Sequence, residues 1–228
     1  MRTSLVIPAA GSGQRFGSDV PKQFLPLLGV SLLAHSLRAF AGLVDEAVIS
    51  GSQENGTLLE AVVREAAVDF PVTVVLGGRT RMHSVASALD RAQGAVVLVH
   101  DAVRPLVPRP CIAACLKALA SHACAVVAVP CAATVKRVAD GVVVETVDRT
   151  ALWLAQTPQG FQRAIGVQAF ARAIGAGWAC SDDMQVLERC GHQPVIVPGD
   201  PRNLKITTRD DLALAQALMS LPVAPIAL

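Results

Sequence analysis

Short runs of β-branched residues alternate with longer Ala- and Leu-rich stretches along most of this chain, and that alternation leaves few folds open. Strand-like runs fall at 4–8 (SLVIP), 45–51 (DEAVISG), 72–78 (VTVVLGG), 95–105 (AVVLVHDAVRP) and 124–132 (CAVVAVPCA). Between them, 31–43, 55–67, 82–92 and 109–121 carry apolar residues at helical spacing. The strand runs are almost continuously apolar, which marks strands covered on both faces. The pattern predicts an α/β chain: a Rossmann-like, mostly parallel twisted sheet with helices on both faces. In such sheets ligands bind beyond the carboxyl ends of the strands.

One segment breaks the alternation. In TVKRVADGVVVETVDRTALW (134–153) two β-type runs are joined by Asp140-Gly141, a strong two-residue hairpin signal. It predicts a β-hairpin arm at about 132–153 projecting from a single domain of residues 1–228. Its Val-rich edges need cover, and a second copy of the chain supplies it most simply. Beyond the arm come TPQGF (157–161), a helix in 164–177, the acidic start of SDDMQVLERCG (181–191), a strand in PVIVPGD and a helix beginning at Thr208–Asp211.

Composition excludes several classes. The 228 residues are 52% hydrophobic, yet the longest apolar run, ACAVVAVPCAA, is far short of the roughly 20 residues that span a bilayer, and Pro130 interrupts it. No signal-peptide pattern precedes the first strand, so neither a membrane nor export is expected, and the location read is cytoplasmic. A net charge of +2 does not suit a nucleic-acid binder. The six cysteines form no CxxC pair, and they are read as small apolar residues reduced in a cytosol.

The first strand runs into PAAGSGQRFGSDVPKQFLPLLG. Its glycines at 11, 13 and 17 do not give the GxGxxG dinucleotide spacing, and VISGS offers no acidic ribose clamp at the next strand's end. A Walker loop needs GxxxxGK[ST], whereas Lys22 follows Pro21. What remains is a backbone-rich loop, Ala10 to Gly13, under Arg15 and Lys22. Free N–H groups and two cations suit several phosphates at once. Asp101 ends its strand where an open α/β site forms; it either approaches a metal ion on the phosphates, binds a substrate hydroxyl or caps the following turn. Arg104 is either a loop anchor or a phosphate contact, and His100 is read as packed. Lys205, between Leu204 and Ile206, is read as a lysine held at a strand end.

These residues resemble the sugar-phosphate nucleotidyltransferases and, within them, the 2-C-methyl-D-erythritol 4-phosphate cytidylyltransferase family. The resemblance continues in order through GGRTRMHSV (77–85), VHDAVRPL (99–106), TVKRV (134–138), DRTALWLAQTPQGF (148–161) and NLKITTRDDLALA (203–215). It implies transfer of a cytidylyl group from CTP to 2-C-methyl-D-erythritol 4-phosphate with release of pyrophosphate, in isoprenoid precursor synthesis. It further implies a Mg²⁺ or similar divalent cation, a homodimer built through the arm, and catalytic roles for Arg15, Lys22, Arg149 and Lys205. Ala9, Ala10, Gly11 and Gly13 match the CTP loop, Gly78 and Ser84 the cytosine site, and Asp101, Ala102 and Arg104 further substrate-binding positions. Thr134, Thr157 and Ser181 match the polyol-phosphate side, with Thr134 and Arg149 reaching into the partner's site. Asp101 is the metal candidate, and Arg81 is read as support. Ser181 in SDD, Val103 and the SVASAL segment depart from the family pattern, which bears on the shape of the polyol pocket. A ribitol 5-phosphate cytidylyltransferase and an inactive nucleotide-binding domain are the alternatives. The sequence ends at Leu228 without a fused cyclase, so a stand-alone enzyme is expected.

Overall fold

The computed structural model describes residues 1–11 and 20–221. Its elements run β1 (Thr3–Pro8), β2 (Pro26–Leu27), β3 (Val30–Ser31), α1 (Leu32–Arg38), β4 (Glu46–Gly51), α2 (Gly56–Ala66), β5 (Val72–Leu76), α3 (Arg81–Arg91) and β6 (Val96–Val99). They continue with α4 (Arg109–Ala118), β7 (Cys124–Pro130), β8 (Val135–Ala139), β9 (Val142–Val147), β10 (Trp153–Gln162), α5 (Arg163–Gly175), α6 (Asp183–Glu188), β11 (Val195–Pro198) and α7 (Arg209–Ser220).

Seven strands form one sheet in the order β11-β7-β10-β6-β1-β4-β5. All neighbouring pairs are parallel except those made by β10, which runs antiparallel to both β6 and β7. The apolar runs are continuous because both faces are covered. Leu5, Ile7, Ala47, Ile49, Leu98, Ala125 and Val127 pack with α1, α2 and α4 on one face. Their alternates Val6, Val48, Val97, Val99 and Val126 pack with α3, α5 and α6 on the other. Period-two alternation sends neighbouring residues to opposite cores.

The connections locate the site. From β1 the chain moves out through α1 to β4 and then β5; from β6 it moves to the other side through α4 to β7. β1 and β6 are adjacent, with Leu5 opposite Leu98 and Val6 opposite Val99. Their outgoing segments diverge, which opens a crevice at their carboxyl ends.

The hairpin forms where Asp140-Gly141 requires it: φ is 49° at Asp140 and 79° at Gly141. Two positive values in a row fit the primed turn that matches strand twist. β8 and β9 make a separate two-stranded sheet whose side chains are mostly exposed.

Two expectations change, and TPQGF, left unassigned from sequence, belongs to β10, a strand inside the sheet. The run expected through residue 105 stops as strand at Val99, because β10 pairs with β6 only over Val96–Val99 and the chain then turns over the crevice. Lys205 lies in an irregular loop beyond β11, not at a strand end. Ile206 anchors that loop: its N–H donates to Val103 O at 2.9 Å, and its side chain is fully buried with Leu27, Leu32, Val103 and Ala215.

Candidate active site

A cleft of about 260 Å³ opens at the diverging ends of β1 and β6. One wall is Pro8–Gly11, continuing β1; another is Gly78–Arg81 with Ser84, leading into α3; a third is Asp101–Val103, beyond β6. Lys22, Gln23 and Lys205 complete it. Of the residues expected from sequence, Ala9, Ala10, Gly11, Lys22, Gly78, Ser84, Asp101, Ala102 and Lys205 therefore meet in one cleft. Arg15 and Gly13 lie outside the described residues. Among described lining residues, four basic side chains (Lys22, Arg79, Arg81 and Lys205) face a single carboxylate, Asp101.

Asp101 is gripped from three sides. Its Oδ1 accepts from Arg81 at 3.2 Å, and its Oδ2 accepts from Lys205 at 2.9 Å and Arg104 at 3.4 Å. Burial alone would raise its pKa, but Arg81, then Lys205 and Arg104, outweigh that and hold the carboxyl well below the usual range. Asp101 is an ionised acceptor at neutral pH. Arg81 also donates to Asp183 Oδ1 at 2.7 Å, so one guanidinium ties two carboxylates together. Burial pushes the Asp183 carboxyl up, with Arg81 opposing, and its Oδ2 has no hydrogen-bond partner among the described residues.

Arg104 resolves as a loop anchor: it is buried, does not line the cleft, and donates to Asn203 O at 2.6 Å. That bond holds the segment entering Lys205 against the β6 end. Beneath Asp101 runs a second chain of bonds. The Asp101 N–H donates to Thr157 Oγ1 at 3.1 Å, and Thr157 Oγ1 lies 2.9 Å from His100 Nδ1. His100 Nε2 lies 3.1 Å from Arg104 O. A carbonyl only accepts, so Nε2 carries the proton and Nδ1 accepts from the threonine. Burial lowers the His100 pKa to about 4, against the opposing backbone bond to Arg104, so the ring is neutral. It has no route to act as a base. Thr157, expected against substrate, is buried with its hydroxyl committed to these partners.

The wall before α3 depends on close approach. A Cβ on Gly77 would stand 2.9 Å from both Ala10 Cβ and Ser84 Oγ and 3.2 Å from Gly51 O. Only glycine lets the β5 end press against the β1 loop this closely. Ser84 does not cap α3; Thr80 does, accepting from His83 N–H at 3.3 Å. Ser84 Oγ instead accepts the Gly78 N–H at 3.1 Å and fixes that glycine's backbone at the cleft wall.

Thr134, Arg149 and Ser181 do not line the cleft of their own chain. Thr134 and Arg149 are exposed at the base of the hairpin, Arg149 donating to Ala132 O at 2.6 Å. Ser181 is exposed beside α6, its N–H donating to Gln185 Oε1. Sequence reasoning passed over Gln23, Arg79, Asp183 and Asn203. Arg79 and Gln23 sat inside motifs already quoted. Asp183 and Asn203 also sat inside quoted segments but carried no spacing signal of their own, since long-range bonds create their roles.

Among the described residues no group of three His, Cys, Asp or Glu is placed to hold a metal, and both Asp101 oxygens are engaged by cations. That donor set is no cage, but it is compatible with a divalent cation that would be bound mainly by phosphate oxygens and water, with Asp101 as the carboxylate nearest to hand.

Known proteins share the sequence and the fold of this chain. The family model for 2-C-methyl-D-erythritol 4-phosphate cytidylyltransferase matches residues 3–221. A protein of that name from Deinococcus radiodurans is 45% identical over 95% of this chain and 89% of its own length. Another from Symbiobacterium thermophilum is 42% identical, covering 95% and 92%. The crystal structure of the Thermus thermophilus 2-C-methyl-D-erythritol 4-phosphate cytidylyltransferase superposes with a TM-score of 0.80 at 33% identity, covering 97% of this chain and 100% of that one.

Proposed function

The chain belongs to the 2-C-methyl-D-erythritol 4-phosphate cytidylyltransferase family, and from that premise we propose how its cleft works. The enzyme transfers a cytidylyl group from CTP to 2-C-methyl-D-erythritol 4-phosphate, giving 4-diphosphocytidyl-2-C-methyl-D-erythritol and pyrophosphate, a step of isoprenoid precursor synthesis. An oxygen of the polyol phosphate attacks the α-phosphorus of CTP; a new P–O bond forms, and the bond to the β-phosphate oxygen breaks as pyrophosphate leaves. The nucleophile is already anionic, so no base is required. The obstacle is repulsion between two polyanions.

The observation that carries the reading is the excess of basic side chains over carboxylates around the cleft. Lys22 and Arg15 stabilise the reacting phosphorus and the departing pyrophosphate. Lys205, steadied on Asp101 and partly exposed, turns its ammonium to the incoming phosphate. Ala10 and Gly11 offer main-chain N–H groups, Ala9 and Gly13 complete the CTP loop, and Gly78 and Ser84 read cytosine. Asp101 and Ala102 form the floor, with Thr157 and Arg104 acting through Asp101. A bound divalent cation such as Mg²⁺ would supply further charge neutralisation across the triphosphate, and Asp101 would be the residue to hold it. Ser181 borders the polyol side. Thr134 and Arg149 act in the neighbouring subunit of a homodimer, because neither reaches its own cleft. The single domain 1–228 works in the cytoplasm without nucleic acid or membrane; no helix of the described residues is long and apolar enough to cross one.

The test is pyrophosphate release by the pure protein with CTP and Mg²⁺, offering 2-C-methyl-D-erythritol 4-phosphate and ribitol 5-phosphate separately. Turnover of the first and neglect of the second is expected. Preference for ribitol phosphate, or CTP binding without pyrophosphate release, sinks the reading.

A further inference from the structure

We propose that Gln23 is a positioning residue for the triphosphate, setting both the phosphate-facing backbone of the β1 loop and the place of Lys22; this rests on the CTP reading above. Gln23 is 3% exposed, in a single 3-10 turn spanning Lys22–Phe24. A buried amide requires partners. Its Nε2 donates to Ala9 O at 2.8 Å and to Gly11 O at 3.1 Å, the two carbonyls that flank Ala10.

The geometry of the peptide unit turns those bonds into a directional device. In a planar trans peptide the carbonyl and the following N–H point in opposite directions. Drawing Ala9 O toward Gln23 therefore aims the Ala10 N–H away from it, and Ala10 lines the cleft. Ala9 is fixed from the other side as well, its N–H donating to Ser50 O at 2.7 Å. Among the described residues the Ala10 N–H donates to no protein acceptor. An oriented N–H without an acceptor, beside basic side chains, is a phosphate ligand. The same amide also sets the spacing of Lys22. The turn carrying both residues is closed by Phe24 N–H to Pro21 O at 2.9 Å and Leu25 N–H to Lys22 O at 3.1 Å, so Lys22 cannot shift relative to Gln23 without opening it. One side chain thus ties a cation to the loop it serves.

The experiment measures binding of cytidine, CMP, CDP and CTP by calorimetry with Mg²⁺ to the full chain and to Gln23→Met, Gln23→Glu and Gln23→Asn. Thermal unfolding and turnover are recorded alongside. Loss of the amide should leave cytidine within about 2-fold while the loss grows with phosphate number, reaching on the order of 10- to 100-fold for CTP. Gln23→Glu has a further signature. Ionised, it repels both carbonyls and the nucleotide; protonated, it donates one bond again, so its CTP affinity should partly recover from pH 8 to pH 6. Gln23→Met should show no such recovery. An equal loss across all four ligands, or no loss, overturns the proposal. So does failure of all three variants to fold, which would make Gln23 a residue of the fold alone. Absence of turnover in the wild-type protein would instead count against the functional reading, leaving the two failures distinct.

Discussion

His100 and Asp101 are adjacent in sequence and opposite in electrostatic fate. Three cations keep Asp101 ionised, while enclosure keeps His100 neutral, its ring lying edge-on to Phe40 at 5.0 Å. The histidine's pKa of about 4 has a consequence for stability. Below its ordinary value of about 6.5 the unfolded chain binds a proton that the folded chain refuses until about pH 4, so stability falls as pH drops through that window. From pH 7 to pH 5 the loss should be about 2 kcal/mol, to order of magnitude. The raised carboxyl of Asp183 acts in the opposite sense, so the histidine must be isolated by comparison. Urea unfolding at pH 5, 6 and 7 should show a shallower acid-side decline in His100→Gln than in the wild type; parallel declines would show that His100 does not resist protonation. In the sequence, VHDAVRP gave the position of Asp101 but not the depth of His100 or the shared guanidinium of Arg81. Those depend on Thr157, Asp183 and Asn203, which arrive from distant segments.

Among elements, the parallel strands and their helices were legible because their apolar periodicity is strong, and in places because a cap marks a helix start. The α7 N-terminus is an example: Thr208 and Asp211 form a capping box, and bonds led by the Thr207 hydroxyl, against a small burial effect, lower the Asp211 carboxyl to about 2. β10 was not legible, because a proline, a glycine and three glutamines argue against an inner strand. The chain accommodates them individually. Pro158 falls where the β10–β7 register shifts between Ala155 and Gln159. Gly160 is needed because a Cβ there would meet Leu119 Cδ1 at 2.5 Å and Leu98 Cδ2 at 2.8 Å. Gln159 braces α6, its Oε1 accepting from Asp183 N–H and Met184 N–H. The loop carrying Lys205 was misread as a strand end because Leu204 and Ile206 look like strand residues, when they are anchors in the small core under α7. Ile206→Ala should cost roughly 2–5 kcal/mol in urea unfolding. It should also raise KM for the polyol phosphate more than for CTP, since Lys205 loses its fixed base. A stability loss with both KM values unchanged would detach Lys205 from that anchor.

At the scale of the whole molecule, the isolated chain leaves two features without use. Val142, Val143 and Val144 are 68%, 54% and 61% exposed on the hairpin, and Trp153 and Leu154 are 40% and 55% exposed where β10 begins. Arg149, expected to grip a phosphate, sits at the base of that hairpin and off its own cleft. The homodimer proposed above, joined through the arms, would account for both, covering the valines and delivering Arg149 to the neighbouring cleft. Apolar cover is the driving force, and one guanidinium forming two hydrogen bonds to phosphate is the functional return. In the proposed arrangement each site is a composite, with Lys22 from one subunit and Arg149 from the other. A heterodimer of Lys22→Ala and Arg149→Ala subunits then contains one doubly damaged site and one site with both residues intact. Each variant alone should be nearly inactive, whereas a purified heterodimer carrying two different tags should recover up to about half of the wild-type rate, the share expected for one intact site of two. If confirmed heterodimers stay as inactive as their parents, Arg149 serves its own chain and the shared-site arrangement fails. Recovery that disappears on dilution, in step with dissociation measured by light scattering, would tie activity to the covered valines and not to slow exchange of misfolded chains.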